Sequence, residues 1–323
     1  MEITRRDLLK YLGASAAALG LSGVQLRQAE VALAAASSPP VIWLNGASCT
    51  GCSVSVLNVV GPTISEVLTQ TISLRYSTTL MAAAGDVAIT AAKSTAQAAA
   101  GSYILVVEGA IPTASEGKYA YVWDENGRSV TMAEAVKTLA ASAKYVLAVG
   151  TCSSFGGIPR VNTSASAKGV SDYLREVGVP IANSGEFGMG IVSSPSPANP
   201  VVVNLPGCAP HPDWVIGSIA KILAGTPPRL DRFGRPVDYY KEMPIHERCP
   251  RRMRPQATQF GQDGLCVIQL GCKGPIANAD CETRLWNNRN NWCIGANGLC
   301  LACVQPDFPS FPFHSKNTHM LMG

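Results

Sequence analysis

From Pro40 to about Gly225 the chain alternates short, unbroken apolar runs with stretches of helical period. The apolar runs are Val41–Leu44, Ile72–Tyr76, Tyr103–Val107, Tyr145–Val149 and Val201–Asn204. They lack the polar–apolar alternation of a half-exposed strand, so they read as strands buried on both faces. Between them the spacing predicts helices over Ser53–Thr69, interrupted at Gly61-Pro62, and over Ala82–Ala100, Thr131–Ser142, Ser166–Val177 and Pro212–Leu223. Thr131-x-x-Glu134 has the form of a capping box, and Gly225 stands where a helix-ending glycine belongs. Strands alternating with helices predict an α/β fold built on a doubly wound parallel sheet.

Sheets of this kind bind ligands beyond the carboxyl ends of their strands. Three predicted strands run into cysteine there: Cys49-Thr50-Gly51-Cys52, Gly150-Thr151-Cys152 and Leu205-Pro206-Gly207-Cys208. Four thiols distant in sequence are thereby expected at one edge of one sheet. The glycines let the backbone turn tightly and bring N–H groups close to whatever the thiols hold. Thr226–Pro244, with Pro227-Pro228 and Arg232-Phe233-Gly234-Arg235-Pro236, reads as a linker. The segment after it, Pro244–Pro309, has little periodicity and eight soft donors: His246, Cys249, Cys266, Cys272, Cys281, Cys293, Cys300 and Cys303. Its core is expected to come from bound metal.

The chain has 323 residues, 47% of them hydrophobic, enough for one large domain or two ordinary ones. The net charge of +4 includes a basic N-terminal segment, and nothing suggests nucleic acid. That segment reads as an address. Thr4-Arg5-Arg6-Asp7-Leu8-Leu9-Lys10 is a twin-arginine pattern, and an Ala/Gly/Leu-rich run follows to about Leu26, then Ala32-Leu33-Ala34 or Ala34-Ala35-Ala36. The run is shorter than the roughly 20 apolar residues of a membrane span. A cleaved signal peptide over residues 1–36 is therefore expected, with a folded, periplasmic mature chain lacking a transmembrane anchor. Export of folded cargo lets metal be inserted first, where thiols stay reduced.

In an exported protein cysteines ordinarily mean disulfides. Here their number, 11, is odd, and Cys-x2-Cys suits a metal better than a bridge. Structural zinc also uses four such donors, but compact paired spacing occurs only at Cys49/Cys52 and Cys300/Cys303. Iron–sulfur clusters usually take four thiolates, with imidazole as an occasional substitute. Eight donors after Pro244 make two such sites, and Cys49, Cys52, Cys152 and Cys208 make a third. The 11 cysteines and His246 thus divide into three sets of four with none left over.

Several motifs together resemble the small subunits of periplasmic [NiFe] hydrogenases. They are the twin-arginine leader, Cys49-Thr50-Gly51-Cys52-Ser53, Val107-Glu108-Gly109-Ala110-Ile111-Pro112, Gly150-Thr151-Cys152 with Gly156-Gly157, and Pro206-Gly207-Cys208 with His211-Pro212. Ile245-His246 with Cys249, Leu270-Gly271-Cys272-Lys273-Gly274-Pro275, Trp286-Asn287 and the closing pair Cys300 and Cys303 complete the pattern. The resemblance implies a flavodoxin-like domain over residues 37–232 and an irregular cysteine-rich domain over 233–323. It implies three clusters in line. Cys49, Cys52, Cys152 and Cys208 would hold the proximal [4Fe–4S] cluster; His246, Cys249, Cys266 and Cys272 the distal one; Cys281, Cys300 and Cys303 the medial one. Many members have proline where this chain has Cys293, with a [3Fe–4S] medial cluster. A fourth thiolate at Cys293 suggests [4Fe–4S] there and resembles the [NiFeSe] subgroup. Oxygen-tolerant relatives carry two extra cysteines where this chain has Gly51 and Gly157, so no special tolerance is expected from the proximal cluster.

The resemblance implies no catalytic residue in this chain: the Ni–Fe centre sits on a large partner subunit, and an external carrier, expected to be a c-type cytochrome, takes the electrons. The competing readings are an iron–sulfur subunit of another oxidoreductase, such as a quinone-oxidoreductase relative sharing only the first domain, and a zinc-binding interaction module. Among the remaining residues, His211 reads as packing near Cys208 rather than a ligand. Glu108, ending a buried strand, reads as a group that hydrogen-bonds or meets the partner, with a proton-transfer role as the alternative. Lys273 is either a charge beside the medial site or a solvated lysine. The aromatic tail Phe308–Phe313 either packs on the partner or closes the cluster domain.

Overall fold

The computed structural model describes residues 39–182 and 199–309. The expected signal peptide and most of the aromatic tail lie outside them. Five parallel strands form the central sheet: β1 (Pro40–Asn45), β2 (Ser73–Ser77), β3 (Ile104–Glu108), β4 (Tyr145–Val149) and β5 (Val201–Leu205). Their order is β2–β1–β3–β4–β5, the flavodoxin-like arrangement, whose direction reverses between β1 and β3. Register decides where the loops emerge. Asn45 pairs with Glu108, Glu108 with Val149, and Val149 with Leu205. Four strand ends therefore stand in one row.

Side chains alternate between the two faces of the sheet. Ile42, Leu44, Leu105, Val107, Val146 and Ala148 face one core, with helices α2 (Gly85–Ala98), α3 (Met132–Ala140) and α5 (Val170–Glu176) contributing to it. Trp43, Ile104, Val106, Leu147 and Val203 face the other, against α6 (Pro212–Leu223). Ile245, Val267, Leu270 and Ile294 from the cysteine-rich segment belong to that same second core. The segment thus shares an apolar core with the sheet and does not depend on metal alone for packing. Thr226–Pro244 is likewise no loose linker: Tyr239 and Tyr240 are buried, and the Tyr240 hydroxyl donates to Pro206 O at 2.8 Å.

The helices start and stop where local chemistry dictates. The interrupted helix expected over Ser53–Thr69 is α1 (Gly51–Leu57) followed, after the break at Gly61-Pro62, by separate turns at Ile64–Glu66 and Val67–Thr71. Thr63 and Glu66 make a reciprocal capping box at that second start, one the pattern did not single out. The box expected at Thr131 is only half made. Thr131 accepts from Glu134 N, but the Glu134 carboxylate pairs instead with Arg128 at 2.6 Å. The helix expected over Ser166–Val177 starts later, because Ala167–Lys168 pairs with Ile111–Pro112. A hairpin of Tyr121–Glu125 and Arg128–Thr131 was not anticipated, although Asn126-Gly127, both with positive φ, is a strong hairpin signal.

Candidate metal centre

The proximal set is built by that row of strand ends. The loop after β1 carries Cys49 and then Cys52 in the first turn of α1; the loop after β4 runs into α4 (Thr151–Phe155) with Cys152; the loop after β5 carries Cys208. Buried Glu108, at the end of β3, organises the first loop. Its carboxylate accepts from Cys52 N (3.1 Å), Ser53 N (3.2 Å), Trp43 Nε1 (3.1 Å), Asn45 Nδ2 (3.0 Å) and the Ser53 hydroxyl. A carboxylate on the first N–H groups of α1 satisfies donors that the helix itself leaves unpaired. Two glycines make room for sulfur. A Cβ at Gly150, φ +93°, would stand 2.4 Å from Cys52 Sγ, and one at Gly157, φ +50°, 2.9 Å from Cys152 Sγ.

The four thiols lie close enough to feel one another. Burial pushes the Cys52 thiol far up, and Glu108, Cys152, Cys49 and Cys208 push it the same way. Burial raises Cys152 to about 11, with Cys208 and Cys49 adding to the rise. Cys49 and Cys208 keep exposed edges, so one side of this set faces outward.

In the cysteine-rich segment the remaining thiols lie near one another, with Cys272 and Cys300 in contact electrostatically between the medial and distal sets. Cys281 sits among Cys303, Cys300 and Cys293, each of which raises its thiol beyond what burial already does. Burial raises Cys303 to about 12, against a hydrogen bond from Cys208 N–H. Cys293 retains an exposed edge yet acts on Cys281, Cys300 and Cys303 alike. The other group contains Cys249, Cys266 and Cys272. Burial raises Cys272, with Cys249 and Cys266 adding to it. His246 joins them through the turn Ile245–Arg248, where Cys249 N donates to His246 O (3.2 Å). A Cβ on Gly274 would lie in ordinary contact with both Cys272 Sγ (3.5 Å) and His246 Cβ (3.6 Å).

The groups are joined to one another in order. The Thr151 hydroxyl accepts from Gly207 N (2.8 Å) and donates to Cys303 O. Lys273 N, next to Cys272, donates to Cys300 O at 2.7 Å.

All eleven cysteines are free thiols. Among the described residues no three His, Cys, Asp or Glu side chains converge as ligands of one metal ion would. Buried thiols that resist ionisation and crowd one another call for a positive core that offsets both effects. They lack the electropositive, accessible setting of a reactive free cysteine.

Comparison with known proteins identifies the family. Residues 49–222 match the family model "NADH ubiquinone oxidoreductase, 20 Kd subunit", and residues 240–314 match the model of the C-terminal part of the NiFe/NiFeSe hydrogenase small subunit. The first match alone would suit either oxidoreductase reading; the second separates them. The chain is 38% identical to the periplasmic [NiFeSe] hydrogenase small subunit of Desulfomicrobium baculatum, over 96% of this chain and 97% of that one. The chain belongs to the [NiFe]/[NiFeSe] hydrogenase small-subunit family. It is 35% identical to the periplasmic [NiFe] hydrogenase small subunit of Solidesulfovibrio fructosivorans, over 95% of this chain and 90% of that one. The fold agrees as well. A solved [NiFeSe] hydrogenase structure from Dm. baculatum superposes with a TM-score of 0.76 at 40% identity, covering 86% of this chain and 99% of that one.

As a hydrogenase small subunit, the chain is part of an enzyme whose family implies iron–sulfur clusters and a separate catalytic subunit. Several neighbouring residues now have defined roles. His211 caps α6: its Nδ1 accepts from Asp213 N (3.1 Å) and its Nε2 donates to Leu285 O (2.7 Å). Both ring nitrogens are engaged, so it packs rather than ligates, and burial holds its pKa below the ordinary value. Lys273 is buried beside Cys300 rather than solvated. Two features escaped the sequence reading. Thr151 was noticed only as a neighbour of Cys152. Asp280, which accepts from Trp214 Nε1 (2.8 Å) and pairs with Arg284 (2.7 Å), fixes the approach to Cys281. Its position immediately before a cysteine was the only available signal.

Proposed function

We propose that the three groups hold three [4Fe–4S] clusters: the proximal on Cys49, Cys52, Cys152 and Cys208, the medial on Cys281, Cys293, Cys300 and Cys303, and the distal on His246, Cys249, Cys266 and Cys272. Bound there, they would supply one-electron redox chemistry, carrying electrons from H2 oxidised in the large subunit to an external acceptor such as a c-type cytochrome. The observation that carries this reading is the pair of direct links between groups, Thr151 bound to both Gly207 N and Cys303 O, and Lys273 N–H to Cys300 O.

The protein's own part is positioning. Glu108 holds the first cysteine loop, Gly150 and Gly157 leave space at sulfur, and Arg284 and Asp280 hold the medial approach. Exposed Cys49 and Cys208, with Val54 and Ile158 exposed nearby, support the proximal end as the face for the large subunit. The periplasmic names of relatives and the twin-arginine leader support export of the folded chain. No helix among the described residues is long and apolar enough to cross a membrane. Iron and sulfide analysis tests the reading: about twelve iron per chain, with matching sulfide, is expected. Zinc without sulfide would refute it.

A further inference from the structure

Asp280 immediately precedes Cys281 and is buried. Its carboxylate accepts from two sides. Trp214 Nε1 donates to Oδ1 (2.8 Å). Arg284 donates from Nη2 to Oδ2 (2.7 Å) and from Nε to Oδ1 (3.2 Å) and Oδ2 (3.0 Å). The same guanidinium donates from Nη1 to Asp213 Oδ2 at 3.2 Å. Asp213 lies in the first turn of α6, five residues after Cys208. Asp280 also occupies the N-cap position of the turn Cys281–Arg284, yet its side chain makes no capping hydrogen bond there. The carboxylate is turned onto Arg284 and Trp214 instead.

The charges in this triad do not cancel. Two carboxylates share one guanidinium, which leaves one negative charge in excess. His211 does not supply the missing cation. Its Nδ1 is 3.9 Å from Asp213 Oδ2, but burial holds the ring below its ordinary pKa and so neutral at neutral pH. Arg248 is paired with Glu282. Lys273, buried beside Cys300, is the cation on the other flank of the medial set. Cys281 feels the anion: burial raises its thiol most, followed by Cys303, Cys300 and then Asp280. Charges out of contact with water are weakly screened, so their effect reaches their neighbours. An ion pair in such a place is weak evidence of a purely stabilising role, since apolar residues of similar size often serve as well.

We infer that Asp280 is a tuning residue for the medial cluster: its negative charge, in excess over Arg284, holds the reduction potential of that cluster down, so that an arriving electron passes on instead of resting there. Reduction adds one electron to a core already ligated by thiolates, and a fixed anion beside Cys281 makes that step less favourable. Asp280 touches no reacting atom and acts through Cys281. The inference rests on the cluster reading and names the residue that poises its middle step.

The test is a redox titration of the assembled holoenzyme, with the signal of each cluster followed by electron paramagnetic resonance and iron content measured alongside. Asp280→Asn removes the charge and keeps the size. The medial midpoint should rise by about 59 mV, an about tenfold easier one-electron reduction, with iron content unchanged and the proximal and distal midpoints moving less. Asp280→Glu should stay near the parent midpoint. Asp213→Asn, outside the cluster loops, leaves Arg284 wholly to Asp280 and should raise the medial midpoint by a smaller step; it decides the question if Asp280→Asn loses medial iron. A medial midpoint that is unmoved or falls in the loaded Asp280→Asn protein overturns the inference. So does an equal rise at all three clusters, a rise in Asp280→Glu matching that of Asp280→Asn, or a midpoint that fails to rise in Asp213→Asn. Absence of any iron–sulfide signal in the parent holoenzyme would instead refute the cluster reading itself.

Discussion

Replacing Glu108 by glutamine probes the support of the proximal group without changing its shape. The carboxylate is fully buried and accepts five hydrogen bonds on two oxygens. An amide has only one acceptor oxygen. If that oxygen stays on Cys52 N and Ser53 N, the new NH2 meets Trp43 Nε1, Asn45 Nδ2 and the Ser53 hydroxyl. The hydroxyl can rotate and accept. Asn45 cannot turn over freely, because its oxygen already accepts from Thr78 at 2.8 Å. Buried Trp43 Nε1 and half-buried Asn45 Nδ2 are then left facing a third donor. A buried unsatisfied donor costs about 1–3 kcal/mol and Asn45 Nδ2 can meet water instead, so Glu108→Gln should destabilise the subunit by about 1–3 kcal/mol. The opposite amide orientation strands the two backbone donors instead, at a similar cost. Guanidinium unfolding of the holoenzyme, followed by tryptophan fluorescence and by bleaching of iron–sulfide absorption, reads the effect. The bleaching midpoint should move to lower denaturant, and iron at the proximal group should be lost first. A variant matching the parent in midpoint and in order of iron loss would show that Glu108 is not what holds the Cys49–Cys52 loop.

Other expectations follow from single contacts. Cys293→Pro should lower iron content by about one per chain and create the electron paramagnetic resonance signal of an oxidised three-iron cluster; without that signal Cys293 is no ligand. Gly150→Ala places a methyl 2.4 Å from Cys52 Sγ and strains a backbone conformation (φ 93°, ψ 157°) essentially reserved for glycine, by about 1–3 kcal/mol. It should cost about four iron per chain, and full iron occupancy would contradict the proposed fit. Buried His211 has a pKa below its ordinary 6.5. Below that value the unfolded chain binds a proton that the folded chain resists, so stability present at neutral pH is lost as pH falls through 6.5 and below. His211→Gln should flatten that acid slope in unfolding curves; an unchanged slope would assign it to other groups.

The sheet was legible because burial on both faces leaves a signature in composition alone. Tyr145–Val149 matches its strand at both ends, and Pro212–Leu223 its helix, since proline at the start and glycine shortly after the end act locally. Elsewhere local signals competed. Glu134 could satisfy either its helix start or Arg128, and the guanidinium won. The stretch around Tyr239 and Tyr240 reads as a proline- and glycine-rich connector, yet both rings lie in the core, because a surface on the sheet was available to cover them.

The cysteine inventory behaves the same way. That twelve donors divide by four is arithmetic on the sequence, and so is the placement of four of them after strands. Spacing could not say which of the eight later donors would meet. That depended on turns stabilised by distant groups: Trp214 on Asp280, Gly274 between Cys272 and His246, Thr151 bound to Cys303. Sequence determines which chemistry a chain can perform because donor type is a property of the side chain. Which donors meet, in what order, and with which face outward was decided only by the packed fold, because proximity across many residues is set by the core they share.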